Sequence, residues 1–223
     1  MSALTLSADH PVVSACASGR FILHARNRAI GFEKARATRG RAGGLRVHAQ
    51  TRIALHRFYL RQSVVADYSA ILRPLRCSVE AKVDDRRFSL TIAIEGERAF
   101  IVSRAGSKER SARIDLARPP LLLIDNCMTS HAFAALAASQ APPGEDEYLS
   151  LPAGEELRAT RERGLGVLLG GQELAPPALT LHLTPELDEH VWLRDGWVDR
   201  LVIPQTQMRI EWAHDSYPSG GHR

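Results

Sequence analysis

The chain has 223 residues, 44% of them hydrophobic and 24% charged, with 29 Lys and Arg against 25 Asp and Glu for a formal charge of +4. A chain of that length buries roughly 70% of the surface its unfolded form exposes, so no disulfide or metal staple is required, and the composition excludes extended disorder. No run of 18 apolar residues occurs, which excludes a transmembrane helix.

From the N-terminus, residues 1–18 read as a flexible lead. They have no basic n-region and break their apolar runs at Asp9, His10 and Pro11, a poor signal peptide. A cytoplasmic chain is expected, with a periplasmic one as the alternative because Ala15-Cys16-Ala17-Ser18 mimics a cleavage site. Three cysteines, Cys16, Cys77 and Cys127, lie far apart without a C-x-x-C pair, which fits buried free thiols in a reducing compartment.

Period-two alternation then dominates. Leu45, Val47 and Ala49 alternate with Arg46, His48 and Gln50; Cys77, Val79, Ala81 and Val83 alternate with Ser78, Glu80 and Lys82. Strands are predicted near residues 20–27, 30–38, 44–55, 58–72, 74–83, 86–95, 98–104 and 109–115. Turn residues at Asp84-Asp85, Glu95-Gly96, Ala105-Gly106, Gly170-Gly171 and Asp195-Gly196 predict hairpins between apolar runs.

After Pro119-Pro120 and an apolar LLLI, the segment DNCMTSHAFAALAASQ predicts a helix over about 127–139, with Asp125 or Asn126 as its N-cap and the following APPG as its stop. An acidic loop, GEDEY, follows. Strands resume near 155–163, 165–170, 172–183, 188–194, 197–203 and 206–213, and residues 215–223 read as a flexible tail. The expected fold is mainly β: one domain over residues 19–214, a single curved antiparallel sheet or a β-barrel closed by the helix.

The net charge hides a split. Residues 1–118 carry 22 basic against 10 acidic side chains, and residues 119–223 carry 7 against 15. Strands of the two halves are therefore expected to pair with one another, or the basic strands to ring a cavity mouth. No G-x-S-x-G, H-E-x-x-H, Walker A or strand-to-helix G-x-G-x-x-G motif occurs, and nine histidines are scattered without metal-ligand spacing. The glycines at 164, 166, 170 and 171 precede a strand and would not cradle phosphate. No cofactor or metal is expected.

Three constellations remain. At the helix start, Asp125, Asn126, Thr129, Ser130 and His131 sit where unpaired N–H groups collect, so His131 is a candidate acid or base with Asp125 to orient it; plain capping is the structural alternative. Eleven Lys and Arg from Arg20 to Arg61 face Glu33 alone, a candidate interaction face for nucleic acid or an acidic partner, although nucleic acid is disfavoured by the lack of an RNA-stacking aromatic pattern. Within the strands, His48, Tyr59, Tyr68, Arg76, His182, Trp192 and Trp197 form a polar and aromatic set suited to a barrel ligand, with a hairpin pair of Trp192 and Trp197 as the plainer alternative.

The second half, through LLLIDNCMTSHAFAALA, the LLGGQEL turn, VWLRDGWVDRLVIP and the final MRIEW strand, resembles an uncharacterised bacterial family of β-rich domains. The matching positions are Asp125, Asn126, His131, Gly170, Trp192, Asp195, Gly196 and Pro204. The resemblance implies a shape similar to lipid or lipoprotein carriers and brings no established reaction.

Together these residues predict a protein that binds an amphiphilic or apolar small molecule in a β-barrel cavity, with His48, Tyr59, Tyr68, Arg76, Asn126 and Trp192 as ligand contacts. The alternatives are a cofactor-independent enzyme using His131 and Asp125 on an apolar substrate, and an interaction module using the basic 20–61 face.

Overall fold

The computed structural model describes residues 19–40, 43–116, 120–140, 145–151, 155–160, 167–169, 172–174, 179–184, 187–194 and 197–214. The flexible ends expected at 1–18 and 215–223, and the turns expected at 170–171 and 195–196, lie outside them.

Eight strands form a meander: β1 (Gly19–Ala25), β2 (Arg28–Arg39), β3 (Leu45–Leu55), β4 (Phe58–Tyr68), β5 (Pro74–Val83), β6 (Arg86–Glu95), β7 (Arg98–Ala105) and β8 (Lys108–Asp115). Two-residue loops such as Arg26-Asn27, both at positive φ, and the turns led by Gly96 and Gly106 at φ 61° join them tightly. The strand expected to run to residue 72 stops at Tyr68, where Leu72 takes φ 60° and the Ser69 N–H bonds the Arg73 carbonyl at 2.8 Å.

The chain continues through β9 (Leu121–Ile124), helix α1 (Met128–Gln140), β10 (Glu145–Leu151), β11 (Glu155–Thr160), β12 (Val167–Leu169), β13 (Gln172–Leu174), β14 (Leu179–Thr184), β15 (Leu187–Arg194), β16 (Trp197–Ile203), a 3-10 turn (Pro204–Thr206) and β17 (Met208–His214). Twelve strands make one antiparallel sheet in the order β14-β15-β16-β17-β1-β2-β3-β4-β5-β6-β7-β8. The sheet is open, with β14 and β8 as its edges, so the barrel alternative is not realised.

The strand expected over 172–183 is instead β13 and β14, which belong to different sheets, and two further segments differ from expectation. The apolar LLLI is a strand, and the supposed acidic loop is β10, which pairs parallel to β9 and antiparallel to β11. β9 shows no alternation because all four of its residues are buried.

The sheet curls around α1. Phe133 of the helix stacks on Tyr68 of β4 at 4.6 Å between ring centres and meets Trp197 of β16 edge-on at 6.0 Å. β4 and β16 stand five strands apart in the sheet order, a separation of ~24 Å were the sheet flat, so one ring touches both only because the sheet is strongly bent. Ala132, Phe133, Ala134, Ala135, Leu136 and Ala137 are all buried, as expected of a helix apolar on every side. The small alanines let the strands close in.

Alternation sets the two faces. β3 runs buried and exposed in strict turn, placing Leu45, Val47, Ala49, Thr51 and Ile53 toward α1 and Arg46, His48, Gln50 and Arg52 outward. The charge split is distributed otherwise than expected: the basic strands β1–β8 pair with each other, and within the large sheet they meet the acidic half only where β1 pairs with β17.

Because Phe133 bridges distant strands, Phe133→Ala should lower stability by about 3 to 5 kcal/mol, as for other buried aromatic truncations. Urea denaturation checks this; a loss under about 1 kcal/mol contradicts a bridging role.

Candidate functional site

On β2, β3 and β4 three buried polar residues break the apolar phase of the inner face. Glu33, Thr51 and Gln62 lie directly opposite one another across β2, β3 and β4. This row receives the start of α1. Oε2 of Glu33 accepts from the Met128 N–H (2.9 Å) and the Thr51 hydroxyl (2.6 Å), while Oε1 accepts from the Thr129 N–H (2.6 Å) and the Thr129 hydroxyl. Gln62 Nε2 donates to the Asp125 carbonyl at 3.0 Å.

The helix is thus capped by Glu33, a residue far away in sequence, and not by the side chain of Asp125 or Asn126. Asp125 is exposed, and Asn126 turns the chain at φ 58°. Ser130 is also structural: its Oγ accepts from the Ile124 N–H at 2.9 Å and donates to the Cys127 carbonyl at 2.8 Å. Burial pushes the Glu33 carboxyl above its usual range, and the bonds from Thr129, Thr51 and Met128 pull against it.

One turn into the helix, His131 Nδ1 lies 2.6 Å from Oε2 of Glu189 on β15. Glu189 has no solvent exposure, and among the described residues its buried Oε1 has no hydrogen-bond partner. Leu187 and Val191 flank it in phase on the same strand. Burial alone would pull the imidazole down, but Glu189, with Asp125 and Glu33 further off, holds His131 above the ordinary histidine value. Asp125 therefore acts on His131 as a more distant charge, and Glu189 takes the orienting place expected for Asp125.

The remaining candidates do not converge. Tyr68 is buried in the stack with Phe133. His48 and Arg76 are exposed on the outer face, Arg76 opposite Asp67. Half-buried Tyr59 bonds Arg61 there at 2.5 Å. Trp192 lies half-buried with the Arg200 guanidinium 6.0 Å from its ring centre. Trp197 pairs with Arg194, not with Trp192, and turns into the core against Phe21, Trp212 and Phe133. The His182 side chain and the glycines at 164, 166, 170 and 171 lie outside the described residues.

No family model, curated protein or solved structure matches this chain. The site is accordingly read from its own chemistry. Among the described residues no group of three His, Cys, Asp or Glu is placed to hold a metal ion, and no helix is long and apolar enough to cross a membrane. Cys77 and Cys127 are free and buried. Burial lifts the Cys77 thiol to about 12 and Cys127 well above its usual value, so both are inert protonated thiols and not nucleophiles.

The residues missed in sequence, Glu33 and Glu189, carried one signal. Each is an acid in phase with small or apolar neighbours, Glu33 with Gly31 and Ala35, Glu189 with Leu187 and Val191.

Both raised groups take up protons more readily in the folded state. Stability from them is complete below the unfolded values of 4.5 for Glu33 and 6.5 for His131, and is lost as pH rises through each raised folded value. The urea midpoint should therefore fall as pH rises above 6.5, and fall less in His131→Gln. A wild-type midpoint that is flat or rising there contradicts the assignment.

Proposed function

We propose that the protein binds an amphiphilic small molecule at the seam between α1 and β15. The observation that carries this reading is Oε1 of Glu189, a fully buried acceptor with no partner among the described residues, whose sister oxygen is fixed by His131. A buried polar atom left unpaired costs about 1 to 3 kcal/mol, more when charged, and a ligand hydroxyl or amine donating to it would recover that. Ligand sites combine apolar walls with a few placed polar groups. Leu187 and Val191 beside Glu189, with the apolar residues of α1 beside His131, would supply the walls, and the His131–Glu189 pair the polar end. The resemblance of the second half to carrier-shaped β-rich domains points the same way. The site differs from the barrel cavity expected of the sequence, because α1 occupies the inside of the curve.

The same pair favours a second reading as an enzyme. A histidine whose Nδ1 is held by a carboxylate presents Nε2 as an acid or base, the arrangement general acid–base catalysis requires.

Native mass spectrometry of the purified protein separates the readings. A small organic adduct should accompany the wild type and be depleted in Glu189→Gln, and 1-dodecanol should raise the unfolding midpoint of stripped wild-type protein. The bare protein mass, with no response to 1-dodecanol, overturns binding at this site. A binder leaves the same molecule on wild type and His131→Gln; an enzyme leaves chemically different ones.

A further inference from the structure

The outer face carries a row of cations that folding does not explain. Arg52 lies directly opposite Arg61 across β3 and β4, Arg61 opposite Lys82 across β4 and β5, and Lys82 opposite Arg87 across β5 and β6. Four positive side chains thus cross four neighbouring strands in a line of ~14 Å. Like charges directly opposite one another destabilise a sheet. Alternation along a strand would be met by any solvated residues, and it does not call for the same sign at every step across the strands.

Acidic neighbours do not neutralise the row. Among the described residues, the Arg52 and Arg87 side chains have no ion pair or hydrogen bond. Lys82 Nζ lies 3.3 Å from Asp85, whose carboxylate is fully exposed. The hydroxyl of Tyr59 accepts from Arg61 Nε at 2.5 Å, and the guanidinium lies 5.2 Å from the Tyr59 ring centre, so that cation is aimed without being discharged. The row lines a groove of about 730 Å³, in whose lining Glu80 is the one acid and which is also bordered by Arg104, a cation already paired with Glu109. The row beside it runs Gln50, Ser63, Glu80 and Ser89, so that amide and hydroxyl groups flank that one carboxylate in the same groove. That volume lies within the range of small-molecule sites.

We propose that this groove binds a chain of closely spaced phosphoryl groups, free as an oligophosphate or carried on a nucleotide. Three of the four cations are arginines, whose planar fork matches phosphate oxygens two at a time. Their ~5 Å spacing, set by the strands, is denser than the ~7 Å between same-side carboxylates of an extended acidic peptide. The row is narrow and single, with its aromatic partner Tyr59 already engaged by Arg61, which favours a phosphoryl chain over stacked bases of a nucleic acid. The site is on the opposite face of the sheet from the His131–Glu189 pair and stands independently of it.

Titration calorimetry at low salt tests this with tripolyphosphate, orthophosphate, adenosine triphosphate, oligothymidylate and poly-glutamate as probes. Tripolyphosphate should bind saturably, at least about tenfold tighter than orthophosphate, and should weaken steeply as salt rises. Adenosine triphosphate bound as tightly as tripolyphosphate or tighter assigns the source as a nucleotide; weaker binding assigns the free chain. The Arg61→Gln, Arg87→Gln double variant should lose at least about tenfold in tripolyphosphate affinity while its urea midpoint stays at or above that of the wild type, since repulsion is relieved. An Arg28→Gln, Arg110→Gln variant, which removes equal charge elsewhere, should hold its affinity within about twofold. No saturable heat with tripolyphosphate, equal losses in both variants, or a preference for oligothymidylate or poly-glutamate overturns the proposal, the last two in favour of a polymer partner.

Discussion

Four donors converge on the Glu33 carboxylate from two directions, one hydroxyl from the neighbouring strand and two N–H groups and a hydroxyl from the helix. A curved sheet presents only side chains to its inside, and a helix start presents unpaired N–H groups. A carboxylate on the sheet satisfies them and offers the negative charge that the helix dipole favours there. Burying such a charge is costly unless its lone pairs are filled. The four donors offset part of that cost for Glu33, whose carboxyl burial still holds above its usual range, and they fix where along β2 the helix must begin.

The rest of the inside follows from that placement. With Met128 and Thr129 pinned at Glu33, Phe133 falls between Tyr68 and Trp197, and His131 falls beside Glu189. The first contact draws strands five apart toward one ring and holds the curve; the second leaves a buried acceptor atom open. Packing and candidate chemistry thus share one helix, whose register against the sheet is set at its first turn.

Much of this was legible in the sequence. The strict alternation of Leu45 to Gln50 and of Cys77 to Val83 set the inner and outer faces, and the Ala-rich segment before APPG gave the helix to within a residue. What escaped reading depends on contacts far apart in sequence. Asp125 and Asn126 have the side chains of an N-cap, yet the cap comes from Glu33, which arrives only when β2 does. Likewise Asp125 was the nearest carboxylate to His131 along the chain, while Glu189 is the nearest in space. β9 carries no alternation because it is buried throughout and pairs parallel with β10. The outward cations were visible as a run, but their cross-strand alignment needs the register, which Arg52, Arg61, Lys82 and Arg87 reveal only when paired.

The pinning of α1 by Glu33 is tested most directly by amide hydrogen exchange in wild type and Glu33→Gln, read at Met128 and Thr129. Replacing the charged acceptor should weaken bonds worth about 1.5 to 3 kcal/mol each. Exchange at these two amides and along the first turns of α1 should therefore accelerate at least about tenfold, while the amides of β3 to β6 keep their protection. Unchanged protection at Met128 and Thr129 would contradict the account, since the helix would then be held by packing alone.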